Sequence, residues 1–339
     1  MAKILISSLG AGVINEKNVR EQKYKDAVYQ FANSKEYKTS FFAAALCEFL
    51  NIDKIILIGT QKSMWDGAYE YFQSKSSQEV DINYFCFLGD KIESKNEGNN
   101  IIEEDLTPLC EAMDRFLQMK GSAQMSGSQC KIIEYGLNEE QLQKNLSIFM
   151  EIGESLNAGD EVYLDITHSF RSIPFFMYMM VDFIRHLRIK EDIKIAGIYY
   201  GMLDAQSDSG VAPIVDLSSL YDIAEWTKAA SNFINYGNGY QMAELIDDSR
   251  LTNLLKNISD LVNLNNIRDL KREIDKLNSY FNELGDENNV YFRYLEPHVQ
   301  QFIKRFRGIS TEAEFQFKLA EWHFENKRYA NGYICLVES

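Results

Sequence analysis

Apolar and polar positions change rhythm once along this chain, near residue 217. Before it, short runs of strand character alternate with longer amphipathic stretches. Lys3–Ser8, Lys54–Ile58, Cys130–Glu134, Val162–Ile166, Asp192–Tyr199 and Ala212–Val215 read as strands, and Asp81–Leu88 as a further short aromatic one. Phe41–Leu50 behind a Thr39-Ser40 cap, Ile101–Met119, a helix opening at Asn138, and Phe175–Leu187 behind Ser172 and Pro174 read as helices. Residues 13–38 are polar and rich in Tyr and Lys, and predict a hairpin or an irregular excursion. Such alternation predicts a parallel α/β sheet covered on both faces. After residue 217 the strands stop. Leu220–Ile234, Tyr240–Leu255, Ile258–Leu284, Val290–Phe306 and Glu312–Tyr329 predict an all-α region. The expected domains are therefore 1–217 and 218–339.

The predicted strands share a habit: they end in glycines, hydroxyls or charges. The first runs into Ser8, Gly10 and Gly12, the second into Thr60, Lys62 and Ser63, the next into Tyr135 and Gly136. The strand Val162–Ile166 leads into Thr167, His168, Ser169 and Arg171, and the one after it ends at Tyr200. In open α/β sheets such ends lie on one edge, where ligands bind. Helix N-termini there present unpaired N–H groups to anions. Lys62, Arg171 and the lysine ahead of Thr39 would add positive charge, which suits a phosphate-containing ligand. Each residue also has a plain reading as a helix cap or turn former, with Trp65 as core filler. The Gly10/Gly12 pair lacks the third glycine of the dinucleotide fingerprint, so a dehydrogenase-type fold is not supported.

Composition narrows the choice further. The 339 residues allow about two domains of roughly 150 residues each. Hydrophobic residues make up 45% and no apolar run could cross a bilayer, and the start lacks a cleavable signal, so a cytoplasmic location without membrane contact is expected. Five scattered cysteines and four scattered histidines encode neither a disulfide framework nor a local metal site. A net charge of −15 argues against broad binding to long nucleic acid, but permits a small anion in a local basic pocket.

Five segments in this order carry a resemblance: Ser7-Ser8-Leu9-Gly10-Ala11-Gly12, Gly59-Thr60-Gln61-Lys62-Ser63-Met64-Trp65-Asp66, Tyr135-Gly136, Asp165-Ile166-Thr167-His168-Ser169-Phe170-Arg171-Ser172 and Tyr200-Gly201. With Glu225-Trp226 and Leu319-Ala320-Glu321-Trp322, they make the chain similar to the CRISPR-associated DxTHG family. Its members are accessory effectors of type III CRISPR antiviral defence built from a CARF and a HEPN domain. The resemblance implies a Rossmann-like, homodimeric CARF domain that binds cyclic oligoadenylate, with cyclic tetraadenylate the expected ring. It also implies control of a metal-independent HEPN ribonuclease acting on RNA through an Arg and a His of an RxxxxH-like motif, with no cofactor. On this reading the ligand contacts are Ser8, Gly10, Gly12, Thr39, Thr60, Lys62, Ser63, Tyr135, Gly136, Thr167, His168, Ser169, Arg171 and Tyr200.

Two departures from the family pattern stand out. Ser169 replaces a glycine. The only R-x4-H match, Arg293 to His298, contains Pro297, which disfavours a regular helix. The family's catalytic pair is expected after a segment like Leu319–Leu336, which here reaches the end of the sequence, so the HEPN-like region reads as incomplete. Beside the sensor stand two other functions: a ring nuclease that cleaves cyclic oligoadenylate within the CARF domain, and an ordinary nucleotide-binding α/β protein.

Overall fold

Apolar strands that are hydrophobic on both sides demand cover on both sides, and the first part of the chain provides it. The structure is a computed structural model and describes residues 1–12, 26–31, 35–94, 96–121, 127–168, 173–187, 193–206, 208, 210–283 and 290–338. Its contacts divide the chain into two compact units, Met1–Ser218 and Ser219–Ser339.

The first unit carries an eight-stranded sheet built from β1 (Lys3–Leu9), β2 (Ala27–Phe31), β3 (Tyr37–Thr39), β4 (Lys54–Gly59), β5 (Gln129–Ile132), β6 (Glu161–Asp165), β7 (Lys194–Gly201) and β8 (Val211–Asp216). Their order is β3-β2-β8-β7-β6-β1-β4-β5. The stretch β7-β6-β1-β4-β5 is parallel, as the sequence predicts. Two antiparallel pairs, β7–β8 and β2–β3, make the whole sheet mixed. β2 and β3 form the hairpin predicted within 13–38, of which 13–25 and 32–34 lie outside the described residues.

Side-chain alternation sorts the core into two layers. Leu5, Leu9, Ile55, Leu57 and Tyr163 face α1 (Phe42–Leu50), α2 (Trp65–Lys75) and α4 (Thr107–Met119) in one cluster. Ile4, Ile6, Ile56, Ile58, Val162 and Leu164 are buried on the opposite face. Their cover comes from α5 (Glu139–Glu154) and α6 (Ile173–Leu187), joined by Phe149 stacking on Phe176 at 5.7 Å.

Three local expectations are corrected. Asp81–Leu88 is not a strand but opens α3 (Ile82–Glu93), because the Asp81 carboxylate accepts hydrogen bonds from the Asn83 and Tyr84 amides and fixes a helix start. Only Leu88 and Ile92 of this helix are buried, so its aromatic residues imitated strand alternation. Thr39-Ser40 does not cap α1. Phe41 occupies that position without a side-chain cap, while the Thr39 hydroxyl accepts from the Phe41 amide and donates to the Tyr71 hydroxyl at 2.7 Å. Met64, not Ser63, stands at the start of α2, also without a side-chain cap. Asn138 does cap α5, accepting from the Gln141 amide at 2.9 Å.

The second unit is helical: α7 (Ser218–Tyr236), α8 (Tyr240–Leu245), α9 (Ser249–Leu264), α10 (Ile267–Glu283), α11 (Val290–Lys304), α12 (Glu312–Glu325) and α13 (Tyr329–Glu338). The predicted helix Tyr240–Leu255 is two helices, since Asp248 caps α9 by accepting from the Leu251 amide at 2.8 Å. Trp226, Leu319 and Trp322 lie in its core, with Trp322 Nε1 donating to the Ile234 carbonyl at 3.1 Å. Helix α11 runs through Pro297, and His298 is exposed on it. Among the described residues, no helix is long and apolar enough to cross a membrane.

Candidate ligand-binding site

Parallel strands deliver their C-terminal ends to one edge, so β7, β6, β1 and β4 end there at Gly201, Asp165, Leu9 and Gly59, with Asp165 level with Ser7 and Tyr199 and Leu9 level with Gly59. The centre of this edge is Asp165, 1% exposed. Its Oδ2 accepts from the Ser7 hydroxyl at 2.6 Å and its Oδ1 from the Thr167 amide at 2.8 Å. Burial nevertheless pushes its carboxyl up to about 6, against the pull of those hydrogen bonds. The Ser8 hydroxyl reaches the Asp165 carbonyl at 3.5 Å, and Thr167 Oγ1 accepts from the Gly201 amide at 2.9 Å. Three neighbouring strands are thus tied together around one carboxylate.

A second array adjoins it across β1. The Ser63 hydroxyl donates to the Leu9 carbonyl at 2.6 Å and accepts from the Thr60 amide at 2.8 Å. Trp65, fully buried, donates from Nε1 to the Thr60 carbonyl at 2.9 Å. The Met64 amide donates to the Gly10 carbonyl at 3.0 Å. Gly12 has φ of +71°, and a Cβ there would lie 2.0 Å from Met64 Sδ, so the turn after β1 has no room for a side chain. Gly201 is equally confined, by Phe42 at 2.7 Å and Tyr29 at 2.8 Å from an added Cβ.

The structure thus gathers Ser8, Gly10, Gly12, Thr60, Ser63 and Thr167 along one edge of the sheet, Ser8, Thr60 and Ser63 buried beneath it, with His168 following in the same turn as Thr167. Burial holds the His168 imidazole down to about 4, so it is neutral at physiological pH. Tyr200 lies on β7 beside this edge. Other predicted contacts stand elsewhere. Lys62 turns away, its ammonium held by the carbonyls of Ile92 and, at 2.7 Å, Ser94, at the end of α3. Thr39 sits on β3, at the far side of the sheet, and is engaged with Tyr71. Tyr135 and Gly136 follow β5, the outermost strand. Gly136 takes φ of +78°, and Asn145 braces the preceding Glu134 backbone at 2.8 and 2.9 Å. Tyr135 is 44% exposed, as a stacking platform requires. Ser169 and Arg171, with the predicted cap Ser172, lie outside the described residues.

Sequence reasoning missed Ser7 as a site residue and left Asp165 out of the predicted ligand contacts. The signal for Ser7 was parity: it shares a face with Leu5 and Leu9, in register with Asp165. Tyr29, buried beside Asp165, was also missed; burial first and the Asp165 charge second raise its phenol above the ordinary value. Among the described residues no group of three or more metal-ligating side chains gathers. Among the described residues, Ser8, Thr60 and Ser63 are buried and bonded within the fold, and the less buried Gly10, Gly12 and Thr167 form the part of the edge fit to meet a phosphate or a base edge.

Comparison with known proteins shows the family of the first unit. Residues 4–204 match the family described as CRISPR system endoribonuclease Csx1, CARF domain. Residues 222–310 match that of CRISPR-associated protein MJ1674, second domain. CRISPR-associated protein MJ1674 of Methanocaldococcus jannaschii is 38% identical over 343 residues, which cover 100% of this chain and 53% of that protein. The chain therefore spans about half the length of this curated relative. A solved structure of Enterococcus italicus Csm6 bound to cyclic hexa-2'-fluoro-hexa-dAMP is similar at 12% identity and a TM-score of 0.38, covering 96% of this chain and 68% of that one.

Proposed function

The chain belongs to the Csx1 CARF family of CRISPR-associated proteins, and from that premise we propose that its first unit is a sensor of cyclic oligoadenylate, the tetraadenylate ring above all. The observation that carries this reading is the shared edge on which Ser8, Thr60, Ser63 and Thr167 surround the tight Gly12 turn and the confined Gly201 at the end of β7. A ring of nucleotides has one phosphate per residue and several bases, and needs many modest donors rather than one strong cation.

The ring is also symmetric, which favours a two-fold partner. Helix α6 begins five residues after His168 and leaves Phe175, Met179 and Phe183 exposed at spacings of four. Leu142 and Leu146 of the neighbouring α5 are exposed as well. A second copy covering this stripe brings two Asp165–His168 turns to one axis. The second unit then carries the bound signal to a HEPN ribonuclease activity, whose RNA substrate and full extent belong to the same proposal.

Calorimetric titration with cyclic tri-, tetra- and hexaadenylate tests the reading, followed by chromatography of the products. One ring per two chains is the expected stoichiometry. Binding of mononucleotides with no binding of any ring overturns it in favour of an ordinary nucleotide site. Linear products would add ring-nuclease activity to the sensor.

A further inference from the structure

A cleft of about 600 Å³ opens in the first unit between β3 and the C-terminal ends of α1, α2 and α4. It is not the sheet edge described above. Helix α2 starts beside the Thr60 turn and ends at this cleft, and its 11 residues span about 16 Å at 1.5 Å each.

Four lysines line the cleft, Lys35, Lys38, Lys75 and Lys120, against Glu36 and Glu48. In a chain with 50 acidic and 35 basic side chains, that balance is inverted. Helix-end electrostatics explains two of them, because Lys75 closes α2 and Lys120 follows α4, where carbonyls favour cations. It does not explain Lys35 and Lys38, which flank Tyr37 on an edge strand. Lys120 is paired with Glu48, and Lys38 lies 3.6 Å from Asp26 in an exposed, solvent-screened pair. Lys75 has no carboxylate partner among the described residues, only the Tyr71 ring at 5.8 Å.

The remaining wall is aromatic. Phe116 is buried, and half-buried Tyr37 and Phe49 meet edge to face at 6.3 Å. The Lys120 ammonium lies 5.6 Å from the Tyr37 ring and 5.9 Å from that of Phe116. Aromatic faces bordered by ammonium groups match a base joined to phosphates. The adjoining groove along α2 is smaller, about 280 Å³, and carries Asp26 and Glu70 beside Lys75, which lines both. The volume limits the occupant to about one or two nucleotides.

We propose that this cleft is a second nucleotide-binding site, separate from the sensor edge, which takes a nucleoside phosphate either free or as a short stretch of single-stranded RNA. The test uses the whole chain with uridine triphosphate and a labelled ten-nucleotide oligouridylate, neither of which is a cyclic adenylate. Binding by the triphosphate identifies a free nucleotide as sufficient; binding by the oligouridylate alone identifies RNA. Either must weaken about tenfold or more in the Lys35→Gln/Lys38→Gln/Lys75→Gln variant, and for RNA the logarithmic salt slope must fall by about 2. Tyr37→Leu should cost about fivefold or more through lost stacking. All three lysines are exposed, so the triple variant should melt with the parent. Binding by neither probe, or unchanged binding in a folded triple variant, overturns the proposal, and titration with cyclic oligoadenylate reports on the sensor independently.

Discussion

Ser7 Oγ donates to Asp165 Oδ2 at 2.6 Å, across the ladder that pairs β1 with β6. The bond joins two strands just before both leave the sheet for the candidate site. Asp165 also accepts from the Thr167 amide, so the backbone that carries the site is set by a buried carboxylate rather than by a surface charge.

Asp165 should therefore report on pH. Its folded pKa, about 6, lies above the unfolded value of 3.8, so the native state binds more protons between those values and stability falls as pH rises through that window. Asp165→Asn should gain about 1–3 kcal/mol at pH 7.5 and nothing at pH 4. Urea unfolding at both pH values decides this, and an equal effect at both would refute it. Ligand phosphates nearby would further disfavour the ionised form, so ring affinity should rise from pH 7.5 to pH 5.5 in the parent and stay flat in the variant.

Gly12→Ala tests the glycine turn. With φ of +71° and Met64 Sδ 2.0 Å from the new Cβ, the variant should lose about 1–3 kcal/mol of stability and most ring binding. Chemical denaturation and calorimetry measure the two effects separately.

Trp65→Ala should cost about 3–5 kcal/mol, because a fully buried indole leaves a cavity and the Thr60 carbonyl loses its Nε1 donor. A loss below about 1 kcal/mol would mean that the Thr60 turn is held by Ser63 alone.

In the helical unit, His323 is fully buried and, among the described residues, neither ring nitrogen has a hydrogen-bond partner. Burial first, then the Arg328 charge, holds its imidazole down to about 4, below the unfolded 6.5. Its contribution is thus present above pH 6.5 and is lost as pH falls toward 4. His323→Leu should flatten acid destabilisation of this unit across that window, as followed by hydrogen exchange. An unaltered acid profile would show that other groups dominate.

Phe183→Glu should shift the chain toward monomer in sedimentation and weaken ring binding together, if α6 carries the two-fold contact. Loss of neither would move that contact elsewhere.

Much of this protein was written in local sequence. The rhythm of apolar runs marked the sheet-forming first unit and the helical second, and the motifs at the strand ends lie on the edge where the ligand site is proposed. Hydrophobic periodicity is local and survives any later arrangement. It failed where a single polar residue outweighed it: Asp81 turned an aromatic strand pattern into a helix, and Asp248 cut one long helix into two. Tertiary structure decided which motif residues meet. Lys62 belongs to the right turn in sequence, yet the carbonyl ends of α3 hold its ammonium away from that edge. Thr39 was drawn to Tyr71 at the sheet's far side. Ser7, by contrast, gained its role only when β1 fell into register with β6. The β1–β6 register pairs residues 158 positions apart, and no local pattern encodes which hydroxyl will face which carboxylate.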